Sequence, residues 1–472
     1  MDLHVTLAGR RDLSGQIYRQ LRAAIVDGRL RPGQALPPTR ELARSLDISR
    51  NTVGVAYDRL AAEGFLTGRV GAGTFVQEAG RASRRAPAAS PLRPRAAWER
   101  VEVWPAARPP GAITHDFRAG LPDVGLFPFE SWRRLMSAQL RPDALDAPNA
   151  AGDPAGLPAL RAAIARHAGA SRSVRASEAD VVVTAGVQNA LDLICRVLLE
   201  PGDVVAVEDP GYPPAHLLFR SLGLDVRGIP VDDEGIRVDA LPRDARAVYV
   251  TPSHQFPLGM PMSLPRRRAL LDWARRRDVV IVEDDYDTEF RYGGRPIEPL
   301  QSLDDDGRVL YLGTFSKIMR PVLRLGFLVA PPALHDAFRL ARYLSSWHAE
   351  LPVQAALARF VDEGLLARHI RRSRREYQAR HERIAERLAS GLPELSVVPS
   401  VAGLHLGATF PDGRDDAEAV ARAQDEGVAL YCLSEFAVTG PPASGLVFGY
   451  GAVALPDIDE GLTRLGRALR TR

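Results

Sequence analysis

Apolar residues recur at helical spacing near the start of the chain, at Leu13, Ile17, Leu21, Ala24 and Ile25. This predicts an amphipathic helix from Leu13 to Val26, closed by Gly28 and followed by a turn at Pro32-Gly33. Residues 38–46 read as a short helix with Thr39 as its cap. Asp47-Ile48-Ser49-Arg50 is a tight connection to a second helix over 51–63, whose inner face is Val53, Ala56, Tyr57 and Leu60. Gly64 stops that helix. Residues 65–76 form two β-prone runs around a Gly-rich tip, which predicts a hairpin.

Between 79 and 112 the periodicity fades. Arg81, Arg84, Arg85, Arg93 and Arg95 interleave with Pro87, Pro91, Pro94 and Pro105, as expected of a flexible, partly polyproline-like linker. Fully extended it reaches roughly 100 Å, enough for the head to pack on another subunit. From about 113 a third pattern begins. Five apolar runs, at 181–184, 204–207, 247–250, 279–282 and 309–312, are separated by helical segments. Short buried strands alternating with helices predict an α/β main domain with a mostly parallel sheet. The expected domains are therefore a winged helix-turn-helix over 1–78, a linker over 79–112, and the α/β domain over 113–472.

Composition narrows the function classes. The net charge of +3 excludes a uniformly basic coat protein, so any nucleic-acid surface must be local. Two cysteines, Cys195 and Cys432, suggest core thiols and no disulfide framework, which fits a reducing cytoplasm. No apolar run approaches about 20 residues, so no transmembrane helix is expected, and the charged N-terminus does not read as a signal peptide. The basic residues carry one sharp anomaly: Lys317 is the only lysine among 61 Lys and Arg residues. A chain that uses arginine everywhere else keeps a lysine where guanidinium cannot substitute. The clearest such need is a primary amine that can deprotonate and attack a carbonyl to form a Schiff base.

The sequence around Lys317 strengthens that reading. Gly313-Thr314-Phe315-Ser316-Lys317, followed by Arg324-Leu325-Gly326-Phe327, resembles the cofactor-lysine segment of the fold-type I pyridoxal 5′-phosphate (PLP) aminotransferases. The resemblance implies an aldimine at Lys317, with Thr314, Ser316 and Arg324 on the cofactor phosphate. Gly186-Val187-Gln188, between a strand and a helix start, is similar to the first phosphate loop of that family. Backbone N–H groups at such a start seat anions. By the same resemblance Tyr212, in Asp209-Pro210-Gly211-Tyr212, lies against the cofactor ring. Asp284, at the C-terminal end of a strong strand, pairs with the ring nitrogen, and Tyr286 binds the ring hydroxyl. In Thr251-Pro252-Ser253-His254-Gln255-Phe256-Pro257, Phe256 occupies the position of the usual Asn, and His254 or Gln255 is expected to replace it.

The head carries a second resemblance. Gly28-x-Leu30-x-Pro32-Gly33, Leu36-Pro37-x-x-Arg40-x-Leu42-Ala43, Ser49-Arg50-x-Thr52-Val53 and Gly71-x-Gly73-Thr74-Phe75-Val76 are similar to the GntR family of bacterial transcription regulators. In that family the second helix of the pair enters the major groove and the wing reaches the minor groove. This implies Arg40, Ser49, Arg50 and Thr52 toward DNA and Arg69 and Gly71 at the wing tip. The fusion of the two modules, together with Asp284-Asp285-Tyr286-Asp287-x-Glu289-Phe290-Arg291-Tyr292, resembles the MocR/GabR subfamily.

The chain departs from an aminotransferase where a substrate carboxylate should be held. No Lys or Arg occurs between Arg422 and Arg464, and residues 444–450, where that Arg is expected, are neutral. The expectation is a PLP-dependent, DNA-binding transcription regulator rather than an enzyme. It would act as a homodimer, with heads able to swap between subunits. The effector would be PLP itself or an amino-acid or amine ligand. The rival expectation is a working aminotransferase with an appended DNA-binding head. The dense arginines over 368–383 are expected on a solvated helix face.

Overall fold

The computed structural model describes residues 5–9, 11–69, 73–77, 93–95, 98, 101, 104, 113–142, 152–293, 298–439 and 443–470. The chain divides into two compact units, residues 1–94 and 95–472.

In the first unit helix α1 spans Leu13–Val26, β1 Ala35–Leu36, α2 Thr39–Ser45, α3 Arg50–Ala62, β2 Leu66–Arg69 and β3 Gly73–Val76. The strands form one sheet in the order β1-β3-β2, so the expected hairpin gains a third strand. Ile17, Leu21, Val53, Ala56 and Leu60 are fully or nearly fully buried and bring α1 onto α3. Thr39 is the first residue of α2 rather than its cap: Pro38 stands at the N-cap, and no side chain caps that end. Ser49 does cap α3, its hydroxyl accepting from the Thr52 N–H at 3.1 Å.

In the second unit β4 is His115–Asp116, and the main sheet comprises β5 Val181–Thr184, β6 Val204–Asp209, β7 Asp225–Asp232, β8 Gly235–Ile236, β9 Ala245–Val250, β10 Val280–Asp285, β11 Val309–Thr314 and β12 Gly326–Val329. Their order is β5-β12-β11-β10-β9-β6-β7-β8. Neighbours from β11 through β7 are parallel, and β12 runs antiparallel to both β11 and β5. Strands β5, β9, β10 and β11 are almost wholly buried, which is why each reads as a continuous apolar run. β7 escaped the sequence reading because only scattered positions of its eight residues are buried.

A smaller sheet, in the order β13-β14-β17-β16, is built from β13 Ser396–Val397, β14 His405–Thr409, β16 Tyr431–Cys432 and β17 Gly445–Gly449. β15, Val428–Ala429, pairs in parallel with β4. The long helix Leu365–Gly391 and the last helix, Ile458–Arg470, share a core with this sheet. Most arginines over 368–375 on the long helix are exposed. Arg380 corrects the expectation of one solvated face: it is buried, donates to the Gly451 carbonyl at 2.8 Å and pairs with Asp123.

Most of the stretch 79–112 lies outside the described residues. Trp104, which lies within it and belongs to the second unit, has its ring 5.0 Å from Tyr431 and 5.6 Å from Phe436. No helix among the described residues is long and apolar enough to cross a membrane.

Candidate functional site

A cavity of about 490 Å³ opens at the C-terminal ends of β10 and β11, where α/β sheets present ligands. Lys317 follows β11 and donates from Nζ to the Gly120 carbonyl at 2.9 Å. Burial pushes this amine below its ordinary pKa range, against the raising influence of Asp287 and Asp284. A larger neutral fraction is what a nucleophilic amine requires. Gly120 sits at φ +91°, and a Cβ there would lie 2.9 Å from Nζ.

The acidic run at the end of β10 divides its duties. Glu283 accepts from the backbone N–H groups of Leu300 and Gln301, both at 2.9 Å. Asp285 pairs with Arg172 Nε at 2.7 Å and accepts from Tyr311 at 2.7 Å. Asp287 accepts from the Leu404 N–H at 3.0 Å and faces His254 Nδ1 at 3.0 Å. Asp284 alone enters the cavity with an oxygen to spare. Its Oδ2 accepts from the Tyr249 hydroxyl at 2.7 Å, whereas Oδ1 is buried without a partner among the described residues. Burial raises the Asp284 pKa to about 7.

A second group of residues lines the cavity near the start of a helix. The helix Val187–Leu198 begins there after Gly186, which adopts φ +87°. A Cβ at Gly186 would approach Arg324 Nη2 to 3.1 Å. Arg324 donates to the Ala185 carbonyl at 2.6 Å, and Ser316 N–H donates to Thr314 Oγ1 at 3.1 Å. Gln188 donates to the Pro214 carbonyl at 2.5 Å, leaving its Oε1 buried and unpartnered among the described residues. Val187, Gln188, Thr314, Ser316 and Arg324 all line the cavity; Gly186 lies behind Arg324.

Two expectations change. His254 does not line the cavity. It is buried behind Tyr286, held by Asp287 and by Ser400 at 3.2 Å. Tyr286 does line it, but its hydroxyl donates to the His254 carbonyl at 2.9 Å, so toward a ligand it is left as an acceptor. Phe256 and His405 fill the wall where a polar replacement was expected from His254 or Gln255. Tyr212 lines the cavity edge-on to Phe256, with ring centroids 5.5 Å apart.

Sequence reading also missed Tyr249, His405, Arg118, Trp104 and Tyr431, all of which line the cavity. None sits in a recognisable motif. Arg118 corrects the view that the site lacks a cation for a carboxylate: one is present, contributed from just after β4 rather than from residues 444–450.

On the head, Arg40, Ser49, Arg50 and Arg69 are exposed and Thr52 is half-buried. Arg50 Nε reaches Thr39 Oγ1 at 3.4 Å, which ties the start of α3 to α2. Arg69 lies over the Phe75 ring at 5.0 Å. Gly71 falls outside the described residues.

Residues 13–76 match the family "Bacterial regulatory proteins, gntR family", and residues 123–446 match "Aminotransferase class I and II". Over 469 residues the chain is 38% identical to the probable rhizopine catabolism regulatory protein MocR of Rhizobium meliloti, covering 96% of this chain and 93% of that protein. The chain belongs to the MocR-like subfamily of GntR regulators. Another relative within reach of this subfamily is the pyridoxine biosynthesis transcriptional regulator PdxR of Corynebacterium glutamicum, 32% identical over 437 residues, 93% of this chain and 91% of that one. The aminotransferase-like unit of this MocR-like chain superposes on the kynurenine aminotransferase of Pyrococcus horikoshii with TM-score 0.71 and 32% identity, over 76% of this chain and 91% of that one.

Proposed function

We propose that the protein is a PLP-binding transcription regulator in which the GntR-type head binds operator DNA and the aminotransferase-like unit senses PLP or an amine ligand. The observation that carries this reading is the pairing, in one cavity, of the chain's only lysine with a buried carboxylate oxygen that has no partner among the described residues. Lys317 offers an amine to the cofactor carbonyl. Asp284 Oδ1 offers an acceptor to a protonated ring nitrogen. Val187, Thr314, Ser316 and Arg324 offer N–H, hydroxyl and guanidinium donors to a dianionic phosphate. The donor set therefore fits PLP, which when bound supplies an electron sink for chemistry at an attached amine. The chain's own part would be to pack Tyr212 against the ring, to accept at Tyr286, and to keep the half-buried Lys317 amine below its ordinary pKa range.

The head supports the same reading. Arg50, Ser49 and Thr52 open α3, the second helix of the pair, where base and phosphate contacts concentrate. A homodimer in the cytoplasm would present two heads to paired sites, and ligand binding would change how strongly those sites are held. Coupling of this kind is typically about 1–3 kcal/mol.

The test is a pair of measurements on the full chain: visible absorbance with added PLP, and operator binding with and without PLP and amino acids. The expected result is a cofactor band that is absent in Lys317→Ala, and an operator affinity that ligands shift in the parent chain only. A band that persists in Lys317→Ala, or operator binding indifferent to every ligand, overturns the reading. A second reading, a working aminotransferase with a DNA-binding head, gains support from Arg118 in the cavity. Rapid turnover of an amino acid with a 2-oxo acid would establish it.

A further inference from the structure

Three side chains that the cofactor reading does not use share one wall of the cavity: Trp104, Arg118 and Tyr431. The Trp104 and Tyr431 rings lie 5.0 Å apart at 37°. The Trp104 indole Nε1 is buried and has no hydrogen-bond partner among the described residues. Burial pushes the Tyr431 phenol up to about 12, so it stays protonated, and its hydroxyl makes no hydrogen bond among the described residues. Arg118 is clamped by Asp116, Nε to Oδ1 at 2.9 Å and Nη2 to Oδ2 at 2.6 Å. Its remaining nitrogen, Nη1, has no partner among the described residues.

An indole N–H and a guanidinium can only donate, and a protonated phenol has one hydrogen to give. A wall of donors without protein partners among the described residues, the Trp104 N–H buried among them, suits a ligand group rich in acceptors. The cofactor phosphate is not that group, because Val187, Thr314, Ser316 and Arg324 already form a separate set of donors for it. The Asp116 clamp bears on which anion remains. It cancels much of the Arg118 charge while fixing the direction of Nη1. Such a wall discriminates by directed hydrogen bonds more than by net charge, which suits a planar carboxylate with two acceptor oxygens. The wall also adjoins the reactive amine: Lys317 Nζ is bonded to the carbonyl of Gly120, two residues beyond Arg118.

We propose that Trp104, Arg118 and Tyr431 form a carboxylate subsite, so that the effector acting at Lys317 is an amino acid rather than a bare amine or the cofactor alone. The proposal rests on the reading that the cofactor is held at Lys317. It replaces the arginine missing from 444–450 with one entering from the other end of the unit's sequence. It also gives Trp104 a role. This residue belongs to the Arg- and Pro-rich stretch that leads back to the head, so a ligand that closes on the indole touches that stretch directly.

The experiment uses the full chain loaded with PLP. An L-amino acid and the primary amine formed by its decarboxylation, such as L-leucine and isoamylamine, are titrated separately while the visible band is followed, across several such pairs. At least one amino acid is expected to act at a tenfold or lower concentration than its amine. In Arg118→Gln that preference should fall by tenfold or more, and in Trp104→Phe, which keeps an aromatic ring but removes the N–H, it should fall less. An intact PLP band in each variant reports a folded site. Equal potency of amino acids and their amines in the parent chain overturns the proposal, as does a preference that survives in both variants. If PLP gives no band in the parent chain, the cofactor reading itself has failed and the proposal falls with it.

Discussion

The Tyr249 hydroxyl donates to Asp284 Oδ2 at 2.7 Å, and this single bond divides the carboxylate into a satisfied oxygen and a buried one without a partner among the described residues. The protein thereby keeps one acceptor in reserve inside a cavity where desolvation strongly disfavours charge.

That arrangement has a pH signature. The folded pKa of Asp284 is raised to about 7 from an ordinary 3.8. The folded chain therefore holds a proton that the unfolded chain releases between about pH 4 and about pH 7, and stability falls as pH rises through that window. Glu208 and Glu283, also raised to about 7 by burial, act in the same sense. Asp285 is buried, yet Arg172, Thr288 and Tyr311 hold its carboxyl below the ordinary range, so its opposite effect falls below about pH 4 and outside this comparison. Urea unfolding of the cofactor-free chain at pH 5 and pH 8 should show a smaller difference for Asp284→Asn than for the parent. An unchanged difference would mean that Asp284 is ionised across the range.

Gly120→Ala should block the site without removing any polar group. The added Cβ would lie 2.9 Å from Lys317 Nζ, and φ +91° is strained for any residue with a side chain. The expected outcome is a PLP band that forms at least tenfold more slowly or not at all, in a chain whose far-UV circular dichroism is unchanged. A band of parental rate would show that Lys317 reaches the cofactor from another position.

Arg324→Ala should separate phosphate recognition from ring recognition. A charge-assisted hydrogen bond contributes about 1.5–3 kcal/mol. PLP affinity should therefore fall by roughly 10- to 100-fold, while the binding of pyridoxal, which lacks the phosphate, should change little. Equal losses for both ligands would assign Arg324 a structural role through its bond to the Ala185 carbonyl.

On the head, Arg50→Ala should weaken operator binding by about 1–3 kcal/mol if Arg50 reads a base edge. If it holds a phosphate, the slope of log affinity against log salt should instead become shallower by about 0.9. Fluorescence anisotropy across a salt series distinguishes the two. No change in either affinity or slope would take Arg50 off the DNA.

The sequence by itself determined the elements whose signals are local. The α1 and α3 faces follow from spacing, because each helix buries one stripe. The central strands follow from continuous apolar runs, because both faces of a parallel sheet are covered. Lys317 is legible because no other lysine competes with it, and Asp284 because it ends a strand that must point at the cavity. Tertiary structure alone decided which partner each acid of the 283–287 run would take, since adjacent carboxylates look alike until Arg172, Tyr249 and His254 arrive from distant segments. It moved His254 behind Tyr286, a matter of packing between the loop and β14. It also brought Trp104, Arg118 and Tyr431 to one wall, although Tyr431 stands over 300 residues from the other two. A contact at that separation leaves no periodicity in the chain, because it is fixed by how β4 and the small sheet pack together.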